Sequence, residues 1–113
     1  MAQEIPEMQL PDLPAEFPEG TEVLDVREHD EWEAGHIEQA THIPMSDVPA
    51  RLGEVPDDKQ VIVVCRAGGR SARVTGYLVG QGRDAVNLAG GMLGWQSAGR
   101  AMSSETGAAP DVV

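Results

Sequence analysis

The chain has 113 residues and a mass of 12.0 kDa, a length that suits one domain and is too short for two separate hydrophobic cores. It carries 8 Lys and Arg against 19 Asp and Glu, and the net charge of −11 excludes a basic protein that binds nucleic acid or an anionic membrane surface. The longest apolar run, residues 61–65, is far shorter than the ~20 residues of a membrane span, and residues 1–20 contain no Lys or Arg. We therefore expect neither a transmembrane helix nor a secretory signal.

The chain begins with an acidic, proline-rich lead-in over residues 1–19. Four prolines in this segment prevent a helical period from running far, so we expect an extended and partly ordered structure. The last segment, residues 103–113, is rich in Ser, Gly, Ala and Pro and has too little apolar surface to offset the entropy cost of ordering it. We therefore predict a single domain over residues 20–102, followed by a flexible tail.

Apolar, β-rich runs alternate with helix-like segments between these two ends. The clearest strand is continuously apolar, as expected for a central strand of a parallel sheet that is covered on both faces. Glycines follow three of the predicted helices as C-terminal stops, at Gly35, Gly53 and Gly82. This alternation indicates an α/β domain with a mostly parallel sheet. The pattern predicts strands at 22–26, 41–43, 61–65 and 84–88, and helices at 29–34, 46–52, 71–81 and 92–98.

Cys65 is the last residue of the clearest predicted strand, and a glycine-containing loop and a helix follow it at once. Ligands of open parallel sheets bind beyond the carboxyl ends of the strands, so this position is an expected place for an active site. Gly68 and Gly69 can adopt positive φ, which would turn successive backbone N–H groups towards one point and form a site for an anion. The start of the next helix adds partial positive charge at the same point, so we predict a lowered pKa for the Cys65 thiol.

Basic residues are concentrated in the same part of the chain. Residues 1–58 hold sixteen acids against two arginines, whereas the stretch 66–83 holds four arginines and no acid. Arg66 and Arg70 border the loop and are candidates to attract an anionic substrate, although each could equally point to solvent or hold the loop in place. Cys65 is also the only cysteine, which excludes an internal disulfide and a thiolate-rich zinc site and favours a reducing, cytoplasmic location.

The loop sequence CRAGGRS, residues 65–71, resembles the active-site motif C-R-x-G-x-R-[ST] of the single-domain rhodanese-like (thiosulfate sulfurtransferase) family. The resemblance covers about residues 20–100. It implies an α/β, rhodanese-like fold, with a mainly parallel five-stranded sheet flanked by helices on both faces. Further stretches agree with the same family: LDVRE at 24–28, EWEAGHI at 31–37 and IP at 43–44 upstream, and NLAGGM at 87–92 with Trp95 downstream.

The resemblance also implies a reaction, sulfur transfer through a persulfide on Cys65. The thiolate would attack the sulfane sulfur of a small anionic donor such as thiosulfate, and a thiophilic acceptor would then remove it. No organic cofactor or metal is implied. Because there is no second cysteine, the acceptor must be external, either a small thiol, cyanide or a protein. Separately, we expect the chain to be a monomer. The backbone and side chains of the loop would bind the substrate, at Arg66, Ala67, Gly68, Gly69 and Arg70.

Two other functions remain open at this stage. Phosphatases and arsenate reductases with a similar cysteine loop have five residues between Cys and Arg, whereas four separate Cys65 from Arg70, and the smaller ring suits a sulfur atom better than a phosphate. Rhodanese-like domains also exist as non-catalytic binding or sulfur-carrier modules. Some of those lack the cysteine, which this chain retains together with the whole loop.

Other polar residues are interpreted as structural. Asp25 and Arg27 lie two apart on a predicted strand and face the same side, which favours an ion pair or hydrogen bonds at the end of the sheet over direct catalysis. His29, His36 and His42 include no pair at helical i, i+4 spacing and only one cysteine accompanies them. We therefore expect no metal site.

Overall fold

The computed structural model describes residues 5–113, so the first four residues of the lead-in lie outside the described part of the chain. Within residues 5–113, no helix is both long and apolar enough to cross a lipid bilayer. The strands are β1 (Glu7–Met8), β2 (Thr21–Asp25), β3 (Thr41–His42), β4 (Gln60–Val64) and β5 (Asp84–Leu88), and the helices are α1 (His29–Ala34), α2 (Gly69–Gly80) and α3 (Gly91–Ser97). The strands form one sheet in the order β1-β5-β4-β2-β3, and every pairing in it is parallel.

Strand β4 lies at the centre of the sheet, as its apolar sequence predicts. It pairs with β2 from Thr21↔Gln60 to Asp25↔Val64 on one side and with β5 on the other. Val61, Ile62, Val63 and Val64 are each completely buried because both faces of the sheet are covered. Cys65 follows β4 directly, so it leaves the sheet at the middle of its carboxyl edge.

Helices cover both faces of the sheet, which confirms the predicted architecture. On one face, Val74 and Leu78 of α2 pack against the side chains that β2 and β4 direct to that face. On the other face, Met92 and Trp95 of α3 pack with Ile62 and the remaining side chains of the sheet. Burial of these apolar side chains, at roughly 1.5–3 kcal/mol each, is the main favourable contribution to holding the helices on the sheet.

The predicted helix over residues 46–52 is wrong. Two separate 3₁₀ turns, Met45–Asp47 and Leu52–Glu54, occupy this part of the chain. Pro49 supplies no N–H to a helical ladder, and Gly53 further weakens the segment. The remaining predicted strands and helices are confirmed, and their bounds differ from the predicted ones by two residues or fewer.

Part of the proline-rich lead-in joins the sheet. Glu7 and Met8 form the edge strand β1 beside Asn87 and Leu88 of β5. Backbone N–H groups of β5 and the residue after it donate to carbonyls of the lead-in, at 2.8 and 3.0 Å. Leu13, further along, is 2% exposed and packs in the same cluster as α3. The edge strand β1 therefore comes from a segment whose composition predicts only extended structure.

The segment 103–113 makes several contacts with the domain. Its flexibility stays a prediction. Ser103 forms a two-way backbone hydrogen-bonded bridge with His36, at 2.8 and 2.9 Å. The Asp111 N–H donates to the carbonyl of Ala34 at 2.9 Å, and Val112 is 7% exposed within the α3 cluster. We refer to residues 103–113 as the C-terminal strap, because they cross the end of α1 at these points.

The strap should require a glycine at position 35. A Cβ atom on Gly35 would lie 2.5 Å from the Asp111 carbonyl oxygen and 2.7 Å from its nitrogen, and both are backbone atoms that can move little. We expect Gly35→Ala to lower the free energy of unfolding by about 1–3 kcal/mol and to speed amide exchange at Asp111. Urea denaturation and hydrogen exchange measure the two effects. Gly53→Ala is the control, because a Cβ there meets no atom within 4 Å, and equal stability of the two variants would contradict the strap contact.

Candidate active site

The sulfur of Cys65 is surrounded by hydrogen-bond donors from the loop that follows it. Cys65 is 1% exposed, and its Sγ accepts a hydrogen bond from the backbone N–H of Gly68 at 3.0 Å. The hydroxyl of Ser71 donates to the same sulfur at 3.2 Å. Ser71 is completely buried in the first turn of α2, so no solvent competes for its hydroxyl. The arrangement is suited to a sulfur that carries negative charge.

These donors determine the acidity of the thiol. Burial raises the pKa of Cys65, but hydrogen bonds from the Ser71 hydroxyl and from the N–H groups of Ser71, Gly68 and Ala67 act in the opposite direction and outweigh it. The pKa of the thiol therefore lies below its ordinary value, as the loop sequence predicts. A lowered pKa increases the fraction of thiolate, which is the nucleophilic form of cysteine.

Glycine at position 68 makes this geometry accessible. Gly68 caps the N-terminus of α2 with φ of +111°, in a region that residues with a Cβ rarely adopt. The chain thereby turns from β4 into α2 within four residues, and the N-terminal end of α2 faces the sulfur. Asn87 of β5 donates from its side-chain amide to the Gly68 carbonyl at 3.3 Å and so links the loop to the sheet.

The N-terminus of α3 holds the opposite side of the loop. The N–H of Met92 donates to the Cys65 carbonyl at 2.8 Å, and the N–H of Leu93 donates to the Arg66 carbonyl at 3.0 Å. Gly91, with φ of +53°, lies so close that a Cβ would be 2.4 Å from the Cys65 carbonyl oxygen. Two helix N-termini therefore determine the position of the loop, one through the sulfur and one through the carbonyl groups.

The two loop arginines, both expected to contact substrate, have protein partners. Arg70 donates from Nη1 and Nη2 to the two carboxylate oxygens of Glu31, at 2.7 and 2.9 Å. Hydrogen bonds from Arg70 hold the pKa of Glu31 below its usual range despite the opposing effect of burial. Arg66 is exposed, and its Nε donates to the backbone carbonyl of Val113 in the C-terminal strap at 3.0 Å. Neither contact was evident from the sequence.

Asp25 and Arg27 form a buried ion pair beside this edge of the sheet. Both side chains are completely buried, with Nη2 of Arg27 2.8 Å from Oδ2 of Asp25. The same Nη2 donates to the Gly35 carbonyl at 2.7 Å, which ties β2 to the end of α1. His36 and His42 contact backbone carbonyls through ring nitrogens, both at 2.7 Å. These side chains hold the chain segments around the site together.

Among the predicted site residues, the structure brings Cys65, Ala67 and Gly68 together around the sulfur. Gly69 begins α2, while Arg66 and Arg70 lie at the edge of the loop. Sequence reasoning missed Ser71 as a donor to the sulfur, and it also missed the roles of Glu31 and Gly91. A signal for Ser71 was present, because it occupies the [ST] position of the loop motif. Glu31 and Gly91 lie in two further stretches of the resemblance, 31–37 and 87–92, but the resemblance gave neither residue a contact with the loop.

A cysteine with a lowered pKa at the carboxyl edge of a parallel sheet, whose sulfur accepts hydrogen bonds from a main-chain N–H and a buried hydroxyl, is a candidate nucleophile of an α/β protein. Comparison with known proteins identifies the family. A model of the rhodanese-like domain matches residues 10–98, and the chain belongs to the rhodanese-like family.

Several of its relatives have names that refer to sulfur transfer. A Bacillus subtilis protein described as a sulfurtransferase, YtwF, is 43% identical over 74 residues, which cover 66% of this chain and 72% of the relative. Thiosulfate sulfurtransferase GlpE of Pseudomonas entomophila is 38% identical over 80 residues, covering 70% and 73% of the two chains. Among solved structures, a rhodanese-related protein from Thermoplasma volcanium matches with a TM-score of 0.81 and 31% identity, covering 87% of this chain and 97% of that one. These relatives support a sulfurtransferase-type enzyme.

The Ser71 hydroxyl should increase the reactivity of Cys65 at neutral pH. Ser71→Ala removes a hydrogen bond that favours the thiolate, so the pKa of Cys65 should rise and the thiolate fraction at pH 7 should fall. We expect alkylation by iodoacetamide at pH 7 to slow by about three- to tenfold and its pH profile to move to higher pH. Thr75→Val is the control. It removes a buried hydroxyl one turn further along α2, which donates to the backbone carbonyl of Ser71 and not to the sulfur. An unchanged profile in Ser71→Ala would contradict this role.

The close approach of α3 to the loop gives a second prediction. Gly91→Ala should push the Cys65 carbonyl away from α3 and distort the loop, because the added Cβ overlaps backbone atoms and the φ is strained. We expect a loss of about 1–3 kcal/mol in the free energy of unfolding and slower alkylation of Cys65. Gly94→Ala in the same helix, where a Cβ meets nothing within 4 Å, should leave both unaffected or increase stability slightly. Similar behaviour of the two variants in urea denaturation would show that the close approach is unimportant.

Proposed function

We propose that this chain is a sulfurtransferase that carries a sulfane sulfur as a persulfide on Cys65. The observation that supports this most directly is the ring of donors around one sulfur atom, with Gly68 N–H at 3.0 Å and the Ser71 hydroxyl at 3.2 Å. A persulfide, like a thiolate, is an anion at neutral pH, and N–H and O–H donors favour both. The loop can therefore serve the enzyme in its free and its sulfur-loaded form.

The proposed reaction has two steps, each of which exchanges one bond to sulfur for another. The Cys65 thiolate attacks the outer sulfur of thiosulfate, a new S–S bond forms, and sulfite leaves with the electron pair of the old one. A thiophilic acceptor such as cyanide then attacks the terminal sulfur of the persulfide. Thiocyanate leaves and the Cys65 thiolate is regenerated, so no oxidant, reductant, metal or organic cofactor takes part.

The loop residues have different proposed roles in this reaction. The N–H groups of Ala67 and Gly68 stabilise the sulfur anions, and Gly69 is the first residue of α2 beside them. Arg66 and Arg70 contact the donor at the edge of the loop. Their reach is limited because Arg66 also donates to Val113 and Arg70 to Glu31. Thiosulfate, or a similar small anionic donor with a sulfane sulfur, is the proposed substrate.

The proposed acceptor is external to the chain. Cys65 is the only cysteine, so the persulfide cannot be resolved internally and must pass to a small thiol, cyanide or another protein. We also propose that the chain acts as a monomer. We also propose a reducing location such as the cytoplasm, where the thiol stays reduced.

Intact-protein mass spectrometry tests the proposal directly. After incubation with thiosulfate and removal of the excess, the wild type should gain the mass of one sulfur atom, and cyanide should remove it with release of thiocyanate. Cys65→Ala should gain nothing and form no thiocyanate, because no thiolate is present to attack.

Circular dichroism of both proteins provides the control for folding. A sulfur gain in folded Cys65→Ala, or none in folded wild type whose thiol reacts with iodoacetamide, would contradict the proposal. In the second case, turnover of an aryl phosphate would indicate phosphatase chemistry instead, and its absence would indicate a binding module.

A further inference from the structure

Arg70, which directly precedes Ser71 in the first turn of α2, is paired with a carboxylate. Arg70 interacts electrostatically with Cys65, and its guanidinium also forms two parallel hydrogen bonds with Glu31. Bidentate pairs of this kind are strong and directional. The pair places a negative charge beside the positive charge that would otherwise attract an anionic donor to the loop.

The structure holds Glu31 in this position from two sides. Its Oε1 accepts from Arg70 at 2.7 Å and also from the backbone N–H of Glu28 at 3.0 Å, at the start of α1. The Glu31 side chain is only 13% exposed and that of Arg70 32%, so solvent screens the pair less than it screens a surface ion pair. Glu31 is therefore a fixed part of the electrostatic surroundings of Cys65.

We propose that Glu31 is a specificity-determining residue that disfavours sulfur donors in proportion to their negative charge. By pairing with Arg70 it reduces the positive potential that an approaching donor meets. This inference rests on the proposed function, since it concerns which donors the sulfurtransferase selects. A dianion such as thiosulfate meets twice the penalty that a monoanion meets, because electrostatic energy is proportional to the charge of the donor.

Two classes of donor deliver the same sulfur but differ in charge. Comparing them separates the electrostatic effect of Glu31 from other effects of its substitution. Thiosulfate is a dianion and releases sulfite, whereas an organic thiosulfonate is a monoanion and releases a sulfinate. In each case the Cys65 thiolate forms one S–S bond to the outer sulfur, the old bond to that sulfur breaks, and the leaving group takes the electron pair. The persulfide product on the enzyme is identical.

The test compares Glu31→Gln with wild type in steady-state assays with each donor, using cyanide as acceptor. Glutamine keeps the shape of the side chain and one acceptor oxygen for Arg70, but it removes the charge. We expect the KM for thiosulfate to fall by about tenfold and that for methanethiosulfonate by about threefold, with kcat unchanged and both effects smaller at high salt. Glu33→Gln is the matched control, because Glu33 lies on the same helix, pairs with His29 and makes no contact with Arg70. It should alter either KM by less than about twofold.

Two kinetic outcomes would overturn the proposal. Equal changes in KM for the two donors would show that the charge of the donor does not matter. A higher KM together with a lower kcat in Glu31→Gln would show that Glu31 only supports the shape of the loop.

Alkylation of Cys65 tests the same electrostatic effect without sulfur transfer. Iodoacetate is an anion and iodoacetamide is neutral, so the ratio of their rates reports the potential at the only thiol, independently of the thiolate fraction. We expect this ratio to rise about threefold in Glu31→Gln and to stay constant in Glu33→Gln. If the ratio rises but no donor loads sulfur, the proposed function fails and the role in donor selection fails with it, while the electrostatic effect of Glu31 on the thiol stands. If donors load sulfur while the ratio and both KM values stay unchanged, the role of Glu31 fails alone.

Discussion

The direction of the peptide groups in the cysteine loop is the constraint on which the site depends. A loop that turns its N–H groups towards one sulfur atom must turn carbonyl groups away from it, and those carbonyls need donors of their own. Helix α3 supplies them, because its first N–H groups have no partners within the helix and meet the carbonyls of Cys65 and Arg66. The anion site at the start of α2 therefore depends on a second helix that does not contact the sulfur.

This division of roles explains where the structure requires glycine. Gly68 provides the positive φ that begins α2 under the sulfur, and Gly91 provides the space in which α3 reaches the loop carbonyls. Other glycines, such as Gly53 and Gly94, have no atoms near the position of a Cβ. Around the site, the requirement for glycine is therefore confined to the contact between the loop and the two helix N-termini, and Gly35 meets the separate requirement of the strap.

Sequence reasoning predicts what local patterns encode and misses contacts between distant segments. The apolar run of β4 and the Gly-Gly loop after it are enough to place Cys65 at the carboxyl edge and to predict a lowered pKa. Strand β1 has two residues, too few for any periodicity, and the capping signals that predict a helix at 46–52 belong to a segment that forms two short 3₁₀ turns instead. The pair Glu31–Arg70 joins residues 39 positions apart, and no local pattern connects them.

The difference between local patterns and contacts of distant segments also applies to charge. The arginine-rich, acid-free stretch 66–83 indicates an anion site, but folding gives most of that positive charge other partners. Arg70 binds Glu31, and Arg83 donates to the carbonyls of Val55 and Leu52 at the 3₁₀ turn beside α2. The donors that contact the sulfur are instead backbone N–H groups and one buried hydroxyl, which carry no net charge and cannot be neutralised by a carboxylate. In a chain with a net charge of −11, the proposed binding of a sulfur anion thus depends on short-range geometry more than on long-range attraction.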